Sequence, residues 1–293
     1  MLGREASLEA ECFNAFAPAV RVLRPEVWRS GVIFASPHSG SIYPKAMVSR
    51  SPLTEQALRR NEDAFIAELF APATQLGAPL LKANFPRCFV DVNRAPDELP
   101  LDWTSGEQAT SQRAEAGLGV VPTMLSETTK IYKKPLSERA ARARLTALYH
   151  PYHDALQELI TEASLNFGDA LLIDCHSMPG FAPMGSRRPD IILGDRFGVS
   201  CWPETVARAE QAFRSQGYNV TRNYPYAGGY VTQHYGKPRA GIEALQIEIN
   251  RDLYLNPVTM KKKRSYEALA ENLKSIIADL IDGHIQAQLQ AAE

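Results

Sequence analysis

The sequence predicts an α/β fold, a three-layer α/β/α sandwich with a mixed central sheet. Three observations carry that expectation. Strand-length apolar runs alternate with segments whose apolar residues recur every three to four positions. Two of the runs stop at a histidine followed by small residues, as buried strands do at the rim of a sheet. Several connections are too short to carry a crossover, so the sheet is not wholly parallel.

In chain order, the first strand is Gly31-Val32-Ile33-Phe34-Ala35, running into Ser36-Pro37-His38-Ser39-Gly40. A helix is expected over 53–76, where Leu58, Phe65, Ile66, Leu69 and Phe70 share a face and Gly77 ends it. Strands are expected over 79–83 and 88–92. The stretch from about 95 to 130 is rich in Pro, Gly, Ser, Thr and acids without a period, and reads as a loop-rich insertion of the kind that covers a site. Ser137 caps a long helix with a kink or break near Pro151, because proline removes a backbone donor. Strands recur at 170–175, 189–193, 218–221 and 241–249, with a helix near 203–216 and a final amphipathic helix at about 257–287. No repeat or low-complexity tail interrupts the pattern, and residues 1–293 are read as a single domain.

Composition narrows the function classes. With 293 residues, 45% hydrophobic content and a formal charge of -1, the chain can bury a sizeable core but has no basic excess. Nucleic acid and anionic membranes are therefore not expected as partners. Met1-Leu2-Gly3-Arg4-Glu5, followed by Glu9 and Glu11, does not read as a secretion signal, and no apolar run reads as a spanning helix, so the cytoplasm is the expected compartment. Cys12, Cys88, Cys175 and Cys201 are widely spaced without a Cys-x-x-Cys pair, and are expected to be reduced.

The chemistry gathers at strand ends. His38 and His176, the latter in Asp174-Cys175-His176-Ser177-Met178-Pro179-Gly180, are imidazoles of the kind that hold a hydrolytic metal together with one carboxylate. Asn61-Glu62-Asp63 supplies that carboxylate, with Asp63 preferred as ligand and Glu62 in reserve. Either acid alone would otherwise be an ordinary charge near a helix start. Glu248 interrupts an apolar run of Ala244, Leu245, Ile247 and Ile249; burial would lift its pKa toward the range of a general base, while an edge-strand glutamate facing water is the plainer alternative. In Asp91-Val92-Asn93-Arg94, an arginine beside an amide suits a substrate carboxylate through its two parallel donors. Arg187, Arg188 and Arg251 offer a second anchor, although Arg187 and Arg188 taken singly read more readily as solvated surface. Residues 224–236 read as a loop that closes over substrate, with His234 as a partner for an oxyanion. The histidines of His150-Pro151-Tyr152-His153 suit packing or hydrogen bonding better than metal, because a proline sits between them. No Gly-x-Ser-x-Gly elbow, phosphate loop or dinucleotide fingerprint is present.

These segments also carry a resemblance. Ser36-Pro37-His38-Ser39-Gly40, Asn84-Phe85-Pro86-Arg87 through Asp91-Val92-Asn93-Arg94, Ile131-Tyr132-Lys133-Lys134-Pro135-Leu136-Ser137, Pro151-Tyr152-His153, Asp174-Cys175-His176-Ser177-Met178-Pro179, Asp190-Ile191-Ile192-Leu193-Gly194-Asp195, Gly228-Gly229-Tyr230-Val231-Thr232-Gln233-His234-Tyr235-Gly236 and Leu245-Gln246-Ile247-Glu248 occur in the order seen in the N-formylglutamate amidohydrolase (deformylase) family. The shared order is more specific than any one block. The resemblance implies a phosphorylase/hydrolase-like fold similar to zinc carboxypeptidases, and hydrolysis of the N-formyl amide of N-formyl-L-glutamate or a closely related N-acyl acidic amino acid. It implies one Zn2+ per chain held by His38, Asp63 and His176, Glu248 as the base, and Asn93 with Arg94 as a carboxylate clamp. The family commonly places an aromatic after its acid ligand, whereas Glu62-Asp63-Ala64 offers two adjacent acids, so the choice between them stays open. A zinc carboxypeptidase-like peptidase and a non-catalytic binder of acylated amino acids are the alternative functions.

Overall fold

The structure, a computed structural model, describes residues 2–100, 103, 111–182 and 184–292. Helices α1 (Leu2–Phe16), α2 (Lys45–Val48), α3 (Glu55–Arg59), α4 (Ile66–Leu69), α5 (Pro72–Gln75), α6 (Gln112–Glu115), α7 (Glu138–Arg144), α8 (His150–Phe167), α9 (Pro203–Ser215), α10 (Tyr230–Tyr235) and α11 (Tyr266–Ala292) are interspersed with strands along the chain. The strands are β1 (Val20–Leu23), β2 (Val32–Ser36), β3 (Leu80–Ala83), β4 (Met124–Ser126), β5 (Thr129–Lys130), β6 (Ala170–Met178), β7 (Ile191–Gly194), β8 (Val220–Arg222), β9 (Ile242–Asn250), β10 (Leu255–Asn256) and β11 (Lys261–Lys262). Seven of them form one sheet in the order β1-β3-β2-β6-β9-β7-β8. β2, β6 and β9 run parallel, whereas β7 is antiparallel to β9, so the sheet is mixed as expected.

Two compact units partition the chain. The second unit (22–36, 65–81 and 156–293) contains the central strands. Both faces of β6 are buried along its whole length, which is why Ala170-Leu171-Leu172-Ile173 reads as an unbroken apolar run. The final helix starts at Tyr266 rather than near 257 because Leu255–Asn256 and Lys261–Lys262 pair as a small hairpin, with Met260 held at φ 55°.

The first unit (1–21, 37–64 and 82–155) carries α1, α2, α3, α6, α7 and the start of α8. Ser137 accepts from the Ala140 N–H at 3.2 Å, the expected cap. The break expected near Pro151 is instead a π-helical turn over Leu145–Tyr149, ahead of an α8 that runs through the proline. Widening the turn before Pro151 accommodates its missing donor. Residues 88–92 form a turn, not a strand. Of the insertion expected at about 95–130, residues 101, 102 and 104–110 lie outside the described residues; the remainder carries α6 and the β4–β5 hairpin. The helix α1 escaped the sequence reading.

A buried ion pair stiffens this unit. Arg144, fully buried, makes two bonds to Glu9 at 2.7 and 2.8 Å and donates to the Phe89 carbonyl at 3.2 Å, while Arg50 reaches the same Glu9. Burial pushes the Glu9 carboxyl up, but Arg144 and Arg50 outweigh it and hold the pKa below the usual value of 4.5. A depressed folded-state pKa stabilises the fold above the unfolded value and loses that contribution as pH falls through the folded one. Replacing Arg144 by Met should therefore cost about 3–5 kcal/mol, read from denaturant midpoints. Glu9→Gln, itself destabilised, should show a shallower loss of stability than the parent when unfolding is repeated from neutral pH into acid.

Candidate functional site

Strand register builds one wall of the site. β6 and β9 pair with His176 opposite Glu248 and Asp174 opposite Gln246, so these four side chains share one face of the sheet. Cys175 and Ile247 take the other. The alternating polar residues Asp174, His176, Gln246, Glu248 and Asn250 are all buried, an arrangement that persists only when hydrogen bonds satisfy it. His176 Nε2 lies 2.9 Å from Asp174 Oδ2. Gln246 donates from Nε2 to Glu248 Oε1 at 2.9 Å and accepts at Oε1 from the Gly229 N–H at 2.8 Å.

The other histidine sits three residues past Ala35, whose register partner is Asp174. The turn carrying it requires glycine: a Cβ on Gly40 would meet the Phe85 carbonyl oxygen at 1.9 Å. The Asp63 N–H donates to the His38 carbonyl at 2.9 Å, and Asp63 Oδ2 lies 3.4 Å from His38 Nδ1. Reaching this position breaks the helix expected over 53–76. The chain leaves α3 at Arg60, and Phe65 adopts a left-handed φ of 65° before α4 begins. Strain of this kind in a non-glycine residue concentrates at functional sites.

His38 Nε2 donates to Asp91 Oδ1 at 2.7 Å; the same oxygen accepts the Asn93 N–H at 2.9 Å, and Arg87 bonds Oδ2 at 2.8 Å. Burial would push the Asp91 carboxyl up, but Arg87, His38 and Arg94 together hold it well below the usual carboxylate range. Asp91 is thus an ionised group fixing which nitrogen His38 turns inward, the role outer carboxylates play for metal-binding imidazoles. Neither Asp91 nor Asp174 stands out as a functional residue in the sequence pattern alone, although the Asp-x-His spacing of 174 and 176 is a usable signal, because i and i+2 share a strand face.

His38, Asp63 and His176 are buried, and each offers a ligand atom within 4.8 Å of the others. Two imidazoles and one carboxylate suit a divalent transition metal, so the residues present fit such an ion. Glu62 is engaged elsewhere. Its carboxylate accepts from Arg59 Nε at 3.1 Å and from Tyr43 at 3.3 Å. Burial raises the Glu62 pKa in spite of Arg59.

Arg94 is held by the Leu118 and Asn93 carbonyls at 3.4 and 3.1 Å, and burial lowers its pKa. Arg251 donates to Ser177 Oγ at 2.9 Å, and Arg188 to the Tyr226 hydroxyl at 2.7 Å. Arg187 is exposed, 3.7 Å from Asp190. His234 lies exposed on α10, stacked on Tyr230 with its Nδ1 3.2 Å from the Tyr230 hydroxyl. His153 donates to the Val92 carbonyl at 2.9 Å, a hydrogen-bonding role as expected. All four cysteines are buried and free, and burial pushes the Cys88 thiol up to about 12.

Comparison with known proteins finds similarity along most of the chain. A family profile described as N-formylglutamate amidohydrolase matches residues 30–255. The N-formylglutamate deformylase of Pseudomonas aeruginosa is 31% identical over 260 residues, spanning 87% of this chain and 92% of that protein. The enzyme of the same name from Pseudomonas putida is 29% identical over 267 residues, 89% of this chain and 94% of that one. The crystal structure of N-formylglutamate amidohydrolase from Ralstonia eutropha JMP134 superposes with a TM-score of 0.84 at 29% identity, covering 92% of this chain and 99% of that one.

The ligand assignment makes a direct prediction. His176→Ala should lose stoichiometric divalent metal in purified, folded protein by elemental analysis, and Asp91→Asn should weaken affinity by roughly 10- to 100-fold. Glu62→Ala should keep the ion. Full metal content in His176→Ala would remove the assignment.

Proposed function

The chain belongs to the N-formylglutamate amidohydrolase family, and on that premise we propose that it hydrolyses the N-formyl amide of N-formyl-L-glutamate, or of a closely related N-acyl acidic amino acid, releasing formate and the amino acid. The observation that carries the reading is the convergence of His38, Asp63 and His176, with Glu248 in register beside His176. The ion in this reading is Zn2+, one per chain, held by those three residues. When bound, zinc supplies Lewis acidity at this position, polarising a carbonyl and making water more acidic near neutral pH.

The chain's own groups do the remaining work. Glu248 accepts a proton from the attacking water and returns it to the leaving nitrogen. Gln246 keeps one Glu248 oxygen occupied, which fixes the carboxylate plane for that transfer. Asn93 and Arg94 hold a substrate carboxylate; burial of the Arg94 guanidinium favours an anionic partner over water. Arg188 and Arg251 form the second anchor. Partial desolvation of the ring, reinforced by the charge of Lys237, lowers the His234 pKa. Its ring is then neutral at pH 7, with Nδ1 accepting from Tyr230 and Nε2 carrying the proton offered to a developing oxyanion.

The ligand is a small N-acyl amino acid, with neither nucleic acid nor membrane as partner. Among the described residues, no helix is long and apolar enough to cross a membrane. The buried free thiols accord with a reducing compartment such as the cytoplasm.

Glu248→Gln should lower turnover about a hundredfold or more with metal retained, measured by formate release. Unchanged turnover would place the base elsewhere. Arg94→Ala removes a charge-assisted bond worth about 1.5–3 kcal/mol, so KM for N-formylglutamate should rise at least about tenfold with a smaller effect on kcat. Equal rates on acidic and uncharged N-formyl amino acids in the parent protein would count against a carboxylate-reading pocket.

A further inference from the structure

Tyr226 has no part in the scheme above, yet its surroundings are built. Its loop is tied down at three points. The Asn223 N–H donates to the Leu193 carbonyl at 2.8 Å, the Ala227 carbonyl accepts from the Arg196 N–H at 2.7 Å, and the Gly229 N–H reaches Gln246 at 2.8 Å. Close packing enforces the path: a Cβ on Gly194 would lie 2.8 Å from the Ala227 carbonyl carbon, and Gly228 needs a φ of 123°. The last tie runs through Gln246 to Glu248, so the loop and the proposed base share one hydrogen-bonded chain.

Arg188 fixes the direction of the Tyr226 hydroxyl. Its Nη1 donates to the phenol oxygen at 2.7 Å, and the guanidinium carbon lies 5.1 Å from the centroid of the same ring. Arg188 is itself anchored through its backbone, the N–H on the Gly180 carbonyl at 2.9 Å and the carbonyl under Asn250 Nδ2 at 3.3 Å. Guanidinium has no acceptor, so the phenol oxygen takes its lone-pair bond there and the O–H is left to donate. Burial, most of all, raises the Tyr226 pKa, with Glu248 adding to it and Arg188 and Arg251 opposing it. The phenol keeps its proton at neutral pH and lies within electrostatic reach of Glu248 and Arg251. Arg188 Nε is buried without a hydrogen-bond partner among the described residues, leaving free energy to be gained when an anion joins the pair.

We propose that Tyr226 contacts the substrate, its O–H and the Arg188 guanidinium forming a two-donor subsite for a carboxylate. The nearby Glu248 carboxylate repels higher charge, so the subsite suits a monoanion rather than a phosphate. This rests on the amidohydrolase reading and adds a residue that tells which carboxylates are accepted.

The test is Tyr226→Phe, which keeps the ring and removes only the hydroxyl. KM and kcat are measured for N-formyl-L-glutamate and for its two monoamides, neutral at one carboxylate each, while L-glutamate binding is followed by calorimetry because it needs no turnover. We expect KM for N-formyl-L-glutamate to rise about tenfold or more with kcat within about threefold. The effect should vanish on the monoamide lacking the carboxylate that Tyr226 holds, because the interaction is then already absent. Equal weakening on all three substrates, or no change on any, overturns the subsite while the amidohydrolase reading stands. If the parent protein releases no formate, that reading falls and the calorimetry decides alone: weaker glutamate binding in Tyr226→Phe supports the subsite, and equal or absent binding overturns it.

Discussion

The pairing of β6 with β9 is the constraint on which the rest depends. It runs in register from Ala170 opposite Ile242 to Met178 opposite Asn250. Side chains alternate strictly along a strand, so a slip of one residue would turn His176, Asp174, Gln246 and Glu248 into the apolar layer and bring Cys175 and Ile247 out in their place. Parallel pairing of β2 on the other side of β6, from Val32 opposite Leu171 to Ala35 opposite Asp174, fixes where the chain leaves the sheet to become the His38 turn. The apolar residues of both strands thus set the register, and the register sets the chemistry.

Burying charge near such a site is costly, and the molecule offsets the cost by pairing every step. Asp91 is fully engaged by Arg87, His38 and the Asn93 N–H. The turn that carries it hangs from Phe89, whose carbonyl Arg144 grips while the guanidinium carbon lies 3.6 Å from the centroid of the Phe89 ring. Arg144 in turn is neutralised by Glu9, 135 positions earlier in the chain. A chain of ionic, hydrogen-bond and ring contacts therefore runs from the first helix to the orientation of a single imidazole, entirely inside one unit.

Much of this was legible in the sequence. The two histidines ended apolar runs, Glu248 stood out in one, and Ser137 announced its cap. Asp63 stands out within an expected helix, but that helix does not exist as one piece. The apolar period of 53–76 continues through Phe65 although the backbone does not, because periodicity reports which side chains are buried and not the φ of one residue. Asp91 escapes because 88–92 reads as a strand in sequence, in which an acid before Asn-Arg looks like an end rather than a hub. Tyr226 escaped for a different reason: its partner Arg188 is 38 positions away in the chain, a separation no local pattern encodes.

The alternation along β6 and β9 also has a consequence for how such a chain can diverge. From Asp174 to His176 and from Gln246 to Glu248, one side of these two strands carries the polar residues of the candidate site, while Cys175 and Ile247 between them turn into apolar packing. Cys175, Ile247 and Ile249 can drift among apolar side chains of similar volume without touching the reaction centre. The polar side can be re-tooled for another acyl group without rebuilding the core beneath it. Ancestry would then be written in one set of positions and substrate history in the set interleaved with it, a single residue apart.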